Sequence, residues 1–521
     1  MSKPLITYNS ITVDFPEGAG AQNLIISNSE KIARTQAKSG KQKYLHFFRN
    51  RFIKFTLPYY DKHFENQLTQ LYEYQRTGQS VKLHIDQDVG LYLPFEGKEA
   101  NSADEDSATF TRIHGANDVA YVDDHYTGLI TEVATGVQRF EEGKFGAATL
   151  IEDSATNLIN RTEEFDDANW TKTDCVVTAN QAIAPDGNVT ADELVFTGIS
   201  LIYFDTTTAI GTDNCCFSIW LKTLSGEDSI YLYINNDAGT IKATYNANVT
   251  SEWQKFSVRY ENDGADANNW RFLLGQLGGT TTIHAWGSHT DVGLLYPTSY
   301  VMNDGESSGA RQEEVLYYTL NDDNFNKKQF SISCWIKVPY DSDQLDDNRF
   351  IFAITKSGAS DVFSFLRFSS ANNIRFAVYD YEDNSFLATS DGDLISADTW
   401  YQITVTCDVT IANGLKIYLN GSLIETSTTD AFSPNDFDRI YIGSLNDGTK
   451  QLNGLIDDFC IHRKVLTAAQ ISQYYNSNAG WGYQKNIWDN VYLKNHSYET
   501  KFVNGTRKIV GTTLEFEEKL T

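Results

Sequence analysis

The residues best suited to binding chemistry lie together in one short run of six positions. The run combines aromatic rings, carboxylates and an amide, in Tyr379, Asp380, Tyr381, Asp383 and Asn384. A sugar stacks its apolar face on an aromatic ring, while its hydroxyl groups need hydrogen-bond donors and acceptors. The run therefore predicts a carbohydrate-binding platform at the tip of a hairpin. A polar turn between two core strands would have the same composition, and it is the simpler interpretation.

A second group of oxygen-bearing side chains lies a short distance upstream. Its members are the aspartates Asp341, Asp343, Asp346 and Asp347. Carboxylate oxygens are ligands that Ca²⁺ takes in proteins, so this loop is a candidate calcium site. Acidic loops are more often solvated than metal-bound, and both interpretations stay open. We expect that no cofactor is required and that Ca²⁺ is the one metal for which the sequence offers ligands.

The acids do not form the pair that a jelly-roll glucanase needs. Such an enzyme uses two carboxylates flanking one glycosidic bond, and a single strand supplies both when they alternate along it. The run 163–167 contains four acids without that alternation, and the neighbours Asp457 and Asp458 point to opposite faces of a strand. The nine histidines and six cysteines show no zinc-ligand spacing. We therefore expect a protein that is not an enzyme.

The composition of the chain limits the kinds of partner that we expect the protein to bind. The 521 residues carry a net charge of −27, which disfavours both nucleic acid and an anionic membrane surface. The sequence contains no apolar run long enough to span a membrane and no recognisable signal peptide, so we expect neither membrane insertion nor secretion. The six cysteines are expected to be reduced thiols in the core of a protein made in the cytoplasm.

Alternating apolar and polar residues, separated by Asn, Asp and Gly turns, predict a mainly β protein. Residues 156–310 and 311–476 are predicted to form two tandem β-sandwich (jelly-roll) domains. Each carries two tryptophans within alternating runs, and all four are expected in the cores: Trp220, Trp253, Trp335 and Trp400. In the second domain, Asn420-Gly421 predicts a type I′ hairpin turn. Thr467 and Gln470 have the spacing of a capping box that begins a short closing helix.

The remaining segments are predicted to flank these domains. Residues 1–98 combine strands with a helix predicted over 61–77, which makes a small α+β domain. Residues 99–155 are predicted to be a connector, and residues 477–521 a β tail that packs back on the N-terminal region. Basic residues concentrate in 38–54 of this otherwise acidic chain, which is consistent with an attachment surface or with a solvated strand face.

Three ordered pieces of the second domain resemble the laminin-G-like or concanavalin-A-like jelly roll, in its pentraxin-like branch. They are residues 330–337, the hairpin 415–423, and residues 454–459 with the capped helix that follows. The resemblance implies a jelly-roll fold, and some members of the resembled family bind calcium at a sandwich edge. It also gives Asp457 and Asp458 a structural role, anchoring the loop before the last strand.

The first domain resembles a module that is frequent in bacteriophage tail and fibre proteins. The resemblance rests on an ordered series of segments: 150–159, 164–172, 184–192, 285–287 and 296–300. The chain departs from the pattern at Ser288–Asp291, where an acidic segment would be expected. The resemblance implies a carbohydrate-binding-like β-sandwich within a virion protein.

The expected function follows from the two resemblances together. The protein would be a structural component of a bacteriophage particle, in the tail, baseplate or fibre, made in the host cytoplasm and assembled into the virion as a homo-oligomer. Residues 1–98 would contact other virion proteins, and the sandwiches would bind host-surface polysaccharide. Two alternatives stay open: a polysaccharide-degrading enzyme on a jelly-roll scaffold, and a purely architectural decoration protein that binds no sugar.

Overall fold

The computed structural model describes residues 120–477 with their side chains, apart from short gaps, and the backbone of individual strands on either side. The gaps are residues 126, 135, 208–210, 237, 263–268, 306–308, 323, 346, 357–361, 383 and 446–447. Within the described residues, all six cysteines are buried and free, as predicted. No described helix is long and apolar enough to cross a membrane.

The N-terminal region contributes strands to more than one sheet. They are β1 (Leu5–Tyr8), β2 (Ile11–Asp14), β3 (Ile25–Gln36), β4 (Gln42–Leu57), β5 (Val81–His84), β6 (Val89–Leu93) and β7 (Thr109–Arg112). The helix predicted over 61–77 lies outside the described residues.

Five short strands follow before the first sandwich. They are β8 (Ala120–Asp123), β9 (Ile130–Val133), β10 (Arg139–Glu142), β11 (Ala147–Ile151) and β12 (Ala155–Thr156). β8 pairs with β9, and β10 pairs with β11, each in antiparallel fashion.

The first sandwich is organised by one long strand. Its strands are β13 (Trp170–Ala182), β14 (Ala191–Asp205), β15 (Cys215–Thr223), β16 (Asp228–Asn236), β17 (Ile241–Val249), β18 (Gln254–Tyr260) and β19 (Trp270–Val292). The first half of β19 pairs with β16 and its second half with β15, while β14 pairs along both halves. The strand therefore contributes to both layers, and the apolar core between them includes Phe217, Leu232, Phe272 and Ile283.

The second domain consists of two larger sheets and one helix. Its elements are β20 (Ala310–Arg311), β21 (Glu314–Thr319), β22 (Gln329–Lys337), β23 (Arg349–Thr355), β24 (Val362–Phe368), β25 (Asn373–Tyr379), β26 (Ser385–Gly392), β27 (Tyr401–Asp408), β28 (Leu415–Leu419), β29 (Ser422–Thr426), β30 (Arg439–Ile442), β31 (Gly454–His462) and α1 (Ala468–Ser477).

One sheet of this domain has the order β10-β11-β31-β22-β27-β28-β29, with β6 also paired to β31. The other has the order β26-β25-β24-β23-β30-β21-β7. Their facing sides bury an apolar core that includes Phe330, Phe363, Phe376, Ile403 and Phe459. The prediction of a mainly β, jelly-roll-like protein is confirmed.

The domain boundaries differ from the predicted ones at the start of the jelly roll. β6 lies within 1–98 and β7, β10 and β11 within 99–155, yet all four add strands to the jelly-roll sheets. Leu91 and Leu93 of β6, for example, pair with Ile461 and Phe459 of β31. The alternation of apolar and polar residues in so short a segment predicts that it forms a strand. It does not predict which sheet the strand joins, because that depends on the partner strand.

The C-terminal strands are β32 (Ile487–Val503) and β33 (Thr506–Lys519). They lie in a sheet of order β2-β1-β5-β32-β33-β4-β3, with N-terminal strands on both sides of them. The two ends of the chain therefore form one sheet.

Two local devices of the jelly roll are confirmed. Asn420 and Gly421 have φ of 49° and 77°, as a type I′ turn requires. The backbone N–H of Thr467 donates to Gln470 Oε1 at 2.9 Å, and the N–H of Gln470 donates to Thr467 Oγ1 at 3.3 Å. This capping box begins α1, whose Ile471 is buried against the sheet.

Candidate functional site

The predicted sugar-binding run forms the turn between β25 and β26, and its polar residues mostly shape that turn. One carboxylate oxygen of Asp380 accepts the backbone N–H groups of Glu382 and Asn384, both at 2.9 Å. The Asn384 amide also donates to this carboxylate. Tyr379 is half-buried, and Asp383 lies outside the described residues. Asp380 and Asn384 thus hold the turn in shape, and the ring that they present is that of Tyr381.

Tyr381 is the aromatic residue of this turn that faces solvent, with 57% of it exposed. Its hydroxyl donates to Asp436 Oδ1 at 3.0 Å and accepts from Lys327 Nζ at 3.1 Å. The same ammonium is 5.5 Å from the ring centroid, so it lies beyond the hydroxyl end and leaves the ring face open. Lys356 donates to the other oxygen of Asp436 at 3.2 Å. We call Tyr381, Lys327, Lys356 and Asp436 the Tyr381 platform.

The charges of the platform are fixed by one another. Hydrogen bonds from Lys327, then from Lys356 and Tyr381, lower the pKa of Asp436 to about 2. At neutral pH the platform therefore offers an ionised acceptor and two ammonium donors along one edge of an open aromatic face. That combination suits a sugar, because the ring binds the apolar face and the edge binds hydroxyl groups.

The predicted calcium loop does not bring its aspartates together. Asp341 accepts the backbone N–H of Ala397 and the amide of Gln344, both at 2.9 Å. Asp347 pairs with Lys450 at 3.1 Å. Asp343 contributes to neither group, and Asp346 lies outside the described residues. In the part of the chain that the structure describes, no three His, Cys, Asp or Glu side chains are grouped to hold a metal ion.

The tryptophans differ from the prediction that all four lie in the cores. Trp335 is buried, but against the β10–β11 turn and α1 on the outer side of its sheet. The other three are half-buried and pack outside the two main cores: Trp220, Trp253 and Trp400. Alternation predicts which residues share one face of a strand, but it does not predict whether that face meets the second layer or a neighbouring segment.

A cleft of about 750 Å³ lies between the two sandwiches and the β8–β10 region. We call it the interdomain cleft; Trp220 lines it on the first sandwich and Lys337 on the second. The Lys255 ammonium lies 4.6 Å from the Trp220 ring centroid and donates to the Thr298 carbonyl at 2.6 Å. The sequence does not reveal this cleft, because its walls come from many segments that lie far apart in the chain.

Four acidic side chains line the interdomain cleft: Asp123, Glu141, Glu152 and Asp398. Burial raises the pKa of Glu141 to about 7, and burial lowers the pKa of Lys255. The cleft thus combines donors and acceptors, and burial disfavours the charged forms of Glu141 and Lys255. Such a lining can bind hydroxyl groups, and a carboxyl group that titrates near neutral pH can act as a general acid.

A buried ion network fixes the walls of the cleft relative to one another. Arg139 of β10 is fully buried and contacts Glu152 and Glu314 at 2.7 and 2.6 Å. Arg311 contacts Glu152 at 3.2 Å. Burial alone would raise the pKa of Glu152, but Arg311 and Arg139 outweigh it and hold this pKa well below the usual range. The carboxylate of Glu152 also accepts from Ser299, which ties the end of the first sandwich to the jelly roll.

Asp457 and Asp458 are both buried, and each accepts a hydrogen bond from another segment. Asp457 Oδ2 accepts the backbone N–H groups of Lys144 and Phe145 at 2.8 and 2.9 Å, in the turn between β10 and β11. Asp458 accepts the hydroxyl of Tyr474 in α1. Both acids therefore have a structural role, and the segments that these bonds anchor are the β10–β11 turn and α1. Strand pattern shows that two acids are adjacent, but not which segments cover them.

Comparison with known proteins agrees with this fold. Residues 314–472 match the family model described as the concanavalin A-like lectin/glucanases superfamily, so the second domain is similar to the jelly rolls of this superfamily. The chain is also similar to botulinum neurotoxin type X of Clostridium botulinum, with 27% identity over 170 residues. That stretch is 32% of this chain and 12% of the toxin, so the chain spans a small part of this relative.

Two solved structures give matches of the same kind. One is the receptor binding domain of botulinum neurotoxin mosaic serotype C/D, with 20% identity and a TM-score of 0.26 over 32% of this chain and 40% of that one. The other is the binding domain of botulinum neurotoxin DC in complex with SialylT, with 21% identity and a TM-score of 0.27 over 37% of this chain and 46% of that one.

Proposed function

We propose that the protein is a non-enzymatic structural component of a bacteriophage particle, in its tail, baseplate or fibre, and that its sandwiches bind host-surface polysaccharide. The observation that carries the sugar-binding part is the Tyr381 platform. An open tyrosine face with charged donors and acceptors along one edge lies on a domain whose family description names lectins. A solvated turn would need none of the three charged side chains of the platform, Lys327, Lys356 and Asp436.

A single shallow platform of this kind binds weakly, and display in many copies compensates for that. Copies on one particle act at a high effective concentration, so avidity exceeds the affinity of one site. The particle location is supported by the resemblance of segments between 150 and 300 to phage tail modules. Attachment to other virion proteins is assigned to residues 1–98, and the homo-oligomeric state follows from the need for many copies.

One observation favours a second candidate, a polysaccharide-degrading enzyme. Glu141 has a pKa of about 7, raised by burial, and lies in the interdomain cleft beside Asp123. A carboxyl group that is partly protonated at neutral pH can act as a general acid while an ionised neighbour acts as base or nucleophile. The same cleft explains the raised pKa without catalysis, because it removes the carboxyl from water.

Glycan binding by the full chain tests the proposal. The probe is a glycan array, with the wild type, Tyr381→Ala and, as a matched control, Leu423→Ala. Leu423 is also a large exposed apolar residue of the jelly roll, 50% exposed, but it lies on the other sheet. We expect binding by the wild type and the control, a loss of roughly tenfold or more in Tyr381→Ala, and no released oligosaccharide.

Three results would contradict parts of the proposal. Release of oligosaccharide from a bound polysaccharide, abolished in Glu141→Gln, would establish the enzyme. Absence of binding to any glycan would favour the architectural alternative. The particle location is checked separately by mass spectrometry of purified phage particles, and absence of the chain from those particles would refute it.

A further inference from the structure

The outer face of the first sandwich carries three tyrosines on β14 and β16, the two strands that flank β19. The alternate residues of β16, Ile230, Leu232 and Ile234, are fully buried in the core, so Tyr231 and Tyr233 point outward. Tyr233 pairs across β19 with Leu273, which in turn pairs with Tyr203 of β14. Because directly paired residues lie on the same face of a sheet, the three tyrosines share one surface.

A glycine allows the rings of this surface to lie against the sheet. Gly275 of β19 lies between Leu201 and Tyr231 in register. A Cβ at this position would lie only 3.2 Å from Cε2 of Tyr233, so the tyrosine ring packs directly over the glycine backbone. The Tyr231 ring is nearly parallel to that of Tyr233, at 22°, with 5.8 Å between centroids. Tyr203, Tyr231 and Tyr233 are each partly exposed, so part of this ring surface is open to solvent.

Fixed polar groups border these rings. The guanidinium of Arg271 lies 3.9 Å over the Tyr203 ring. Asp205 holds it there through two hydrogen bonds, of 2.6 and 3.0 Å. The charge of the guanidinium is therefore balanced, and its position is set before any ligand arrives. Exposed threonines of β13 and β17 continue the border: Thr171, Thr173 and Thr244.

An independent observation points to a missing partner at this border. Asn235 pairs in register with Arg271, and only 7% of it is exposed. Its amide oxygen is buried and accepts no hydrogen bond from the residues that the structure describes. Leaving a buried acceptor unpaired costs roughly 1–3 kcal/mol, so this oxygen calls for a partner such as a bound hydroxyl group or water.

We propose that Tyr203, Tyr231, Tyr233, Asn235 and Arg271, together the tyrosine face, form a second carbohydrate site that takes a neutral oligosaccharide. A sugar ring stacks on Tyr231 and Tyr233, one of its hydroxyl groups donates to Asn235 Oδ1, and another accepts from Arg271. The ligand is neutral because Asp205 already balances the one cation of the face. This inference rests on the proposed function for the class of ligand, a carbohydrate. It does not rest on the Tyr381 platform, because the tyrosine face lies on the other sandwich domain.

The experiment measures binding at the tyrosine face in a variant whose Tyr381 platform has lost its aromatic ring. The full chain carrying Tyr381→Ala is titrated by calorimetry with a panel of neutral hexasaccharides, namely glucan, mannan and galactan oligomers. We expect at least one to bind, and we expect Tyr233→Ala in this background to weaken that binding roughly tenfold or more. Tyr233→Phe keeps the ring and should stay within about threefold, since the ring and not the hydroxyl stacks on the sugar. Leu224→Ala, an exposed apolar residue of the same sandwich at 54% exposure, should change nothing.

The outcomes separate the two sites. If Tyr381→Ala alone removes all binding, the tyrosine face is refuted while the proposed function stands. If binding persists in Tyr381→Ala but Tyr233→Ala leaves it unchanged, the second site lies elsewhere and this proposal fails. If no hexasaccharide binds and Tyr233→Ala instead disrupts self-association measured by sedimentation, the face is a protein interface, which also overturns the proposal.

Discussion

Arg139 donates two hydrogen bonds to Glu314, from Nε to Oε1 at 2.7 Å and from Nη2 to Oε2 at 2.6 Å, and neither side chain is exposed. The pair joins β10 to β21 at the point where the two sandwiches meet. Replacing Arg139 by Met would remove the cation that pairs with the buried carboxylate of Glu314 and one of the two that pair with Glu152. We expect Arg139→Met to lower the free energy of unfolding by about 3–5 kcal/mol, measured by urea denaturation at pH 7.

A matched control for this prediction is Lys450→Met. Lys450 pairs with Asp347 at 3.1 Å, but both side chains are well exposed, at 35% and 51%. Such a pair contributes about 0–1 kcal/mol, because water and salt screen it. If the two variants lost equal stability, the buried network would not be what holds the domains together.

The pH dependence of stability should be set in part by Asp457. Burial raises the pKa of this carboxyl from 3.8 to about 7 in the folded protein. Between these values the folded protein retains a proton that the unfolded chain releases, so stability is greatest at low pH and falls as pH rises toward 7. Its share of the loss between pH 5 and pH 8 is roughly 2 kcal/mol.

The variant Asp457→Asn tests that assignment. Asn keeps an oxygen that can accept the N–H groups of Lys144 and Phe145, but it cannot titrate. We expect the difference in urea midpoint between pH 5 and pH 8 to shrink in the variant. It should not vanish, because burial also raises the pKa of Glu141 and Glu163, each to about 7. An unchanged pH profile would show that Asp457 stays ionised in the folded protein.

Local structure was predictable from the sequence, and the candidate site only in part. The hairpin turn at Asn420 and the capping box at Thr467 depend on residues within a few positions of one another, so the pattern alone predicts them. Tyr381 was predicted as a platform residue for the same reason. Its partners Lys327 and Asp436 lie 54 and 55 positions away, and only the tertiary fold brings them to its hydroxyl.

The tyrosine face shows the same limit in another form. Alternation places Tyr231 and Tyr233 on one side of a strand, but the strand order decides that Gly275 and Tyr203 lie beside them. Nothing in the sequence between 200 and 280 specifies that register. Binding surfaces assembled across strands are therefore found from the sheet and not from the pattern.

The hairpin at Gly421 should be sensitive to substitution because α1 packs on it. A Cβ at Gly421 would lie 2.9 Å from Cβ of Tyr475 and 3.3 Å from Cα of Ser472. Gly226 has a similar φ, 74° against 77°, but nothing lies within 4 Å of its Cβ position. We expect Gly226→Ala to cost about 1 kcal/mol for the backbone strain alone, and Gly421→Ala about 1–3 kcal/mol more. Equal losses in urea denaturation would show that α1 moves away from the hairpin without cost.

Tyr381→Phe separates the contribution of the Tyr381 ring to sugar binding from that of its hydroxyl. This variant keeps the aromatic face and removes the hydroxyl that bridges Lys327 and Asp436. Lys327 and Lys356 still donate to Asp436, so its carboxylate stays ionised and available to sugar hydroxyls. Against the tightest glycan of the array, we expect a loss of roughly two- to tenfold, smaller than that of Tyr381→Ala, because one neutral hydrogen bond is worth about 1 kcal/mol. A loss as large as that of Tyr381→Ala would mean that the hydroxyl, and not the ring face, carries binding, and the stacking geometry proposed for this platform would then be wrong.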